Sequence, residues 1–330
     1  MERKISVNVL DQIVCIRLDV SIWSGQKKLT SEDLGLTPDQ IPPAELAALG
    51  RKKICDPQAL AVFRAVKKRG ERLLQAHGVR FLDGYAVPAN DMAQVNNELD
   101  ELGLEFQAAR TEFIGNYEDS VEAWIERHQD WEDQIRRAVE PVERVAGSLI
   151  WRRTCYRVVH PSASVPDTGL ATEVNGLGGQ LLREVAQEAK ETWEQSYQDK
   201  LDVTRRALWP LNRIYNKMLS LSFLEPRIKP FLCLMARVIQ QADQSGPGRI
   251  QGLELTNLQE LLRILMEPSK VLAGGYSMVQ TNEVLLPDPT EILPVFEEAA
   301  PDPEQDIEPE TILVPVQPEE ELAYPQDWFF

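Results

Sequence analysis

Three histidines, His77, His128 and His160, are the only imidazoles in this 330-residue chain. None stands in an HxxxH or HExxH spacing or beside a cysteine. The pattern therefore predicts neither a zinc site nor a nucleophile paired with an imidazole base. His77 closes a helical stretch, where an imidazolium suits the dipole, and His128 falls within an apolar stripe. The four cysteines, Cys15, Cys55, Cys155 and Cys233, are far apart and form no CxxC. They read as reduced thiols rather than a disulfide framework. The expectation is a chain with no metal, no cofactor and no enzymatic activity.

Two other patterns bear on ligands. Asn175-Gly176-Leu177-Gly178-Gly179-Gln180 precedes a helical stretch, and glycines there would let amides converge on an anion held by Gly178 to Leu181. The Lys-Ser/Thr pair of a phosphate loop is missing and no strand leads into it, so a hinge or tight cap is the better reading. Basic clusters occur at Arg51-Lys52-Lys53, at Lys67-Lys68-Arg69 with Arg72, and at Arg152-Arg153 with Arg157. The last alternates with Trp151 and Tyr156, as stacking on a single nucleic-acid strand requires. The bland reading of all three is a set of solvated faces balanced by neighbouring Asp and Glu.

Charge is distributed very unevenly. The chain sums to −17, yet residues 271–330 hold fourteen acids and no lysine or arginine, which leaves residues 1–270 at −3. A body so near neutral lacks the net basic face that a dominant grip on nucleic acid needs. The acidic segment also holds nine of the 22 prolines, a composition of disordered tails. Apolar islands interrupt it: Val284-Leu285-Leu286, Ile292-Leu293 with Val295-Phe296, Ile312-Leu313-Val314, and Trp328-Phe329-Phe330. A spacer has no need of these. They read as short motifs for capture by a protein partner, with docking on the chain's own body as the competing possibility.

The elements that would position these residues are mainly helical. Residues 5–23 read as a strand, because Ile16, Leu18, Val20 and Ile22 alternate with Arg17, Asp19 and Ser21. Thr30 with Asp33 suggests a capping box, and Asp56-Pro57 opens a helix that Gly78 closes. Asp83-Gly84 within Val79–Pro88 suits a tight hairpin or an extended turn. Apolar residues from Met92 to Val139 step by three and four, which predicts a rod of roughly 70 Å weakened at Gly103 and Gly115. A second stripe runs from Leu182 to Met218 with a kink at Pro210. Antiparallel pairing of the two within one chain is the simplest way to bury both, and the spacing alone leaves open pairing between two copies of the chain. The 142–159 stretch is compatible with helix at its start and strand at its end. Shorter helices follow at Phe231–Ile239 and Leu253–Leu265.

The expected organisation is a small α+β region (1–89), a long coiled-coil-like helical hairpin (90–222) with an extended tip at 161–180, short helices packing on it (223–275), and the acidic tail (276–330). No run of 18 apolar residues occurs, and no apolar region follows Met1-Glu2-Arg3-Lys4. The expectation is a soluble, cytoplasmic protein with no membrane partner.

Several stretches carry a family signature. These are Arg17-Leu18-Asp19-Val20-Ser21-Ile22-Trp23-Ser24-Gly25 with Lys27-Lys28-Leu29, Lys53-Ile54-Cys55-Asp56-Pro57, Gly78-Val79-Arg80-Phe81 and Gly84-Tyr85-Ala86-Val87-Pro88. Gly176-Leu177-Gly178-Gly179-Gln180-Leu181 and Leu221-Ser222-Phe223-Leu224 complete the set. Together they resemble an uncharacterised bacterial domain family carried by phages, plasmids and integrative elements. The resemblance spans residues 15–275 and omits the tail. Members are often encoded beside a MoxR-type AAA+ ATPase and a cobaltochelatase-like von Willebrand-A protein. It implies an accessory role in an ATPase-driven assembly and carries no residue roles. The leading expectation is a non-enzymatic adaptor, and the alternative is a nucleic-acid-binding accessory protein.

Overall fold

Alternation along Ile13–Ser21 (β1) buries Ile16 on one face of the strand and Ile13 and Cys15 on the other. The computed structural model describes residues 9–37, 40–43, 45–159, 168–244 and 248–273. The expected strand residues 5–8 lie outside these, as do His160, residues 161–167 of the expected tip, the Gly274-Gly275 boundary and the whole acidic tail; residues 168–180 of that tip are described and are helical, not extended. After β1, Gln26–Lys28 (β2) and Arg51–Lys53 (β3) form a two-stranded ribbon. Between them the Thr30 amide donates to Asp33 Oδ2 at 2.9 Å and the Asp33 amide returns a bond to Thr30 Oγ1 at 3.3 Å. This is the reciprocal pair that the spacing suggested. Asp56 Oδ1 accepts from the Gln58 amide and Pro57 takes the first position of the 3₁₀ turn leading into Ala61–His77 (α1).

Val79–Phe81 (β4) and Gly84–Pro88 (β5) form the expected hairpin, but the two-residue turn is Leu82-Asp83, one position early. Leu82 takes the left-handed φ of 52°, and Gly84 stays inside the strand. A Cβ at Gly84 would lie 2.5 Å from the Ile16 carbonyl oxygen, so close approach to β1 fixes the glycine there.

The first long stripe does not form one rod. It is divided into Met92–Gly115 (α2), Tyr117–Arg127 (α3) and Glu132–Arg136 (α4), with breaks at Asn116 and His128. α2 alone spans about 36 Å. At His128 and Trp131 the stripe is interrupted, the first exposed and the second 46% exposed, before Ile135 of α4 returns to the core. The ambiguous stretch resolves as both readings in turn, Val142–Ser148 (α5) and then Ile150–Tyr156 (β6). The sheet is antiparallel in the order β4-β5-β1-β6, so it draws its strands from both sides of the boundary expected at residue 90.

The second stripe starts earlier and ends sooner than its spacing suggested. Thr168–Thr192 (α6) already contains Gly176, Gly178 and Gly179, and a π-helical turn at Trp193–Tyr197 closes it. Leu201 is 92% exposed and belongs to no stripe. Asp202–Val203 (β7) leads to Leu208–Ser220 (α7), where Pro210 sits in the first turn. A missing N–H has no helical partner to lose at that position, so the proline produces no kink. Lys229–Gln244 (α8), Ile250–Gln251 (β8, paired with β7), Gly252–Leu265 (α9) and Pro268–Ala273 (α10) complete the described body.

The architecture is mainly helical with a small sheet, but the two long stripes bury against different partners. Val95, Leu99, Phe106, Phe113, Val121 and Ile125 share a core with α1 and the Ile16 face of the sheet. Leu181, Val185, Leu211, Ile214 and Met218 share another with α8, α9 and the Ile13–Cys15 face. The antiparallel pairing is made instead within the second half. Glu184 meets Lys217 and Glu188 meets Arg213, which runs α6 and α7 in opposite directions. A sheet whose two faces are both apolar separates the stripes, and this is why they do not meet. Among the described residues no helix is long and apolar enough to cross a membrane.

Candidate functional site

Of the sequence-picked groups, the basic and aromatic set around Trp151 is the one the fold assembles. β6 carries Trp151 beside α1 and α2, and its indole fills space left by two glycines. A Cβ on Gly70 of α1 would lie 2.8 Å from Trp151 Cη2, and one on Gly103 of α2 would lie 2.9 Å from its Nε1. Phe106 adds a ring contact at 5.7 Å between centroids. The indole is thus a wedge between helices, not a free platform for a base. The cations around it are largely committed: Arg69 to Glu105 at 2.6 Å, Lys67 to Glu71, and Arg153 to Asp100 at 3.0 Å and the Asn96 carbonyl. Lys68, Arg152 and Arg157 remain exposed. Tyr156 lies on the opposite face and donates its hydroxyl to Asp83, which Arg17 also holds. Burial first, then that bond, push the Tyr156 phenol up to about 12.

The glycine-rich segment is not an anion cradle. Its amides lie inside α6 rather than at a helix start, so intrahelical bonds take them. Gly178 serves packing: a Cβ there would lie 2.8 Å from the Leu224 carbonyl oxygen. His77 lies 3.9 Å from Asp91, and exposed His128 meets Trp124 with ring centroids 4.3 Å apart at a tilt of 59°. Cys15 and Cys55 are buried, and burial, with Asp83 and Asp56 nearby, pushes both thiols up to about 11. Such thiols stay protonated near neutrality, which suits packing rather than nucleophilic work. Among the described residues no group of three or more His, Cys, Asp or Glu could hold a metal. The islands from Leu285 to Phe330 lie outside the described residues.

The most developed polar feature escaped sequence reasoning. A groove of about 730 Å³ is walled by α1, β4, α6 and α7. At its base Lys217, 3% exposed, donates to the Gln75 carbonyl at 2.6 Å and pairs with Glu184 Oε2 at 2.9 Å. The other Glu184 oxygen accepts from the Arg80 amide at 2.9 Å and from Gln180 Nε2 at 3.0 Å. Four elements thereby share one buried ion pair whose members are all bonded, the condition under which such a pair is tolerated. Arg213 and Glu188, at 2.6 Å, form a second pair on the rim. One signal was available: Lys217 sits between Ile214 and Leu221 on the apolar face of α7, where a lysine needs a buried carboxylate.

Comparison with known proteins adds one finding. A family model described as protein of unknown function (DUF3150) matches residues 10–267. No curated protein matches the chain, and neither does any solved structure.

Proposed function

Since the chain belongs to the DUF3150 family over residues 10–267, we propose that it is a non-enzymatic adaptor whose family domain is a scaffold and whose acidic segment recruits a second protein. The observation that carries this reading is the charge division. All but −3 of the net charge lies in residues 271–330, interleaved with apolar islands and ending in Trp328-Phe329-Phe330. Acids steer such a segment toward a basic partner and islands give it anchors, as in motifs that order on binding. The described body supports a scaffold. Burial pushes the Cys15 and Cys55 thiols up to about 11, Lys217 is saturated by Glu184 and Gln75, and Arg136 is held between Glu122 and Glu132.

The partner favoured by the resemblance noted above is a MoxR-type AAA+ ATPase encoded by the same mobile element. The test is a pull-down from the native host with the full chain and a chain ending at residue 275. Loss of the main partner on truncation is the expected result, and full retention would refute tail recruitment. Nucleic acid is the second reading. It rests on the exposed cations Lys68, Arg152 and Arg157 and on a cleft of about 470 Å³ edged by the part-buried Trp151 and Arg153. Filter binding at low salt, where phosphate contacts are strongest, tests it.

A further inference from the structure

The groove between α1, β4, α6 and α7 holds more cationic charge than its carboxylates neutralise. Five cations line it (Arg72, Arg80, Arg183, Arg213 and Lys217) against Glu184, Glu188 and Glu191. Glu184 is committed to Lys217 and Glu188 to Arg213. Three guanidiniums are therefore left without a carboxylate partner among the described residues, one from each of three walls. Arg72 of α1 is exposed; Arg80 of β4 lies over the Tyr85 ring at 5.3 Å; Arg183 of α6 reaches only the neutral Gln180 oxygen at 2.7 Å. Elsewhere on the body some arginines are matched with acids, as Arg69, Arg127, Arg136, Arg205 and Arg227 are, and others such as Arg64, Arg110 and Arg137 bond backbone carbonyls; the groove differs in gathering three around one concavity. Glu191, bonded among the described residues only by the Gln187 amide, is the one carboxylate left over, so the groove keeps an excess of two positive charges around one concavity, which marks a place for an anion from outside.

We infer that this groove is a binding site for an acidic peptide segment of a partner protein. Guanidiniums present paired N–H groups that match carboxylates in two-point contacts. The lining between them is amide and hydroxyl: Gln75, Gln187, Thr192 and Gln195. Such groups suit a peptide backbone, and no aromatic side chain lines the groove to stack a base. The wall made by α6 and the π-helical turn that closes it runs from Gln180 to Gln195, about 22 Å at helical rise. That length accommodates about six or seven extended residues, whereas a compact phosphate would touch one end only. The buried Lys217–Glu184 pair makes the floor rigid, so the three arginines are held on fixed elements instead of loops. This site stands apart from recruitment by the chain's own acidic segment.

The experiment is fluorescence anisotropy with the full chain and a labelled decapeptide of alternating Glu and Ser. The expected result is saturable binding that weakens about tenfold in R72E/R183E, as the loss of two exposed charge contacts implies. It should weaken again with added salt and stay unchanged in R152E, a charge reversal outside the groove. Both groove arginines are exposed, so folding should survive; circular dichroism verifies it, and R183Q gives a milder second variant. Absence of saturable binding, or equal binding by wild type and the double variant, overturns the assignment. So does a single-stranded oligonucleotide or pyrophosphate that displaces the peptide and binds more tightly through the same arginines.

Discussion

Trp151 offers the sharpest test of how the two helices and the sheet are fitted together. Alanine in place of glycine inside a helix ordinarily gains about 1 kcal/mol, because the backbone loses less freedom on folding. At Gly103 the new Cβ would lie 2.9 Å from Trp151 Nε1 and 3.2 Å from Cδ1. The indole has little room to move, since Gly70 meets its far end and Phe106 its side. Overpacking of this kind costs about 1–3 kcal/mol, so Gly103→Ala should destabilise by up to about 2 kcal/mol despite the better helix former. Replacing Trp151 by Val removes the obstacle. In that background the same Gly103→Ala change should stabilise by about 1 kcal/mol. The double-mutant coupling is then about 1–3 kcal/mol, above ordinary additivity error. Urea unfolding of the four proteins reads it, and each kcal/mol should move a thermal midpoint by about 2 °C. If Gly103→Ala moves stability in the same direction in both backgrounds, the wedge is not what keeps position 103 a glycine.

Three further outcomes follow from the same geometry. Lys217→Met should destabilise by about 3 kcal/mol in denaturant titration, because Glu184 would stay largely buried without its cation. Gly178→Ala should destabilise by about 1–3 kcal/mol, since a Cβ there meets the Leu224 carbonyl, while Gly176→Ala, with nothing within 4 Å, should stabilise; equal effects at both would contradict the helical packing of this segment. Asp33 supplies a pH test. Burial alone would raise its carboxyl, but hydrogen bonds from Lys52 and Thr30 outweigh this and hold it below its ordinary 3.8. A depressed folded value stabilises above the unfolded value and is lost as pH falls, so the stability gap between wild type and Asp33→Asn should be flat from about pH 8 to 5 and shrink below about pH 4.

Local chemistry was legible in the sequence wherever one segment satisfies itself. The Thr30–Asp33 box, the Asp56-Pro57 start and the Gly78 stop each depend on groups within four residues, and each is present. The hairpin slipped by one position because the chain had two candidates for the left-handed residue. Gly84 looks the better of them, but the Ile16 carbonyl holds it inside the strand and pushes Leu82 into that role. Gly103 looked like a weak point in a helix for a similar reason, and Gly70 gave no signal at all. Their meaning lies on β6, some fifty to eighty residues away, and no periodicity within either helix reveals it.

The larger divergence concerns what the two long stripes face. Heptad-like spacing states that a helix has one apolar side, but it does not name the surface opposite. Here the sheet supplies both surfaces, because β1 buries residues on each of its faces. One stripe closes on Ile16 and the other on Ile13 and Cys15. Two cores built on one sheet leave a seam where α1 passes α6 and α7, and any polar group at that seam must find its partner across it. Lys217 does so with Gln75 and Glu184, and the groove opens directly above. The feature most removed from any sequence motif is therefore a direct consequence of the topology. A lysine inside an apolar stripe was its only trace in the sequence.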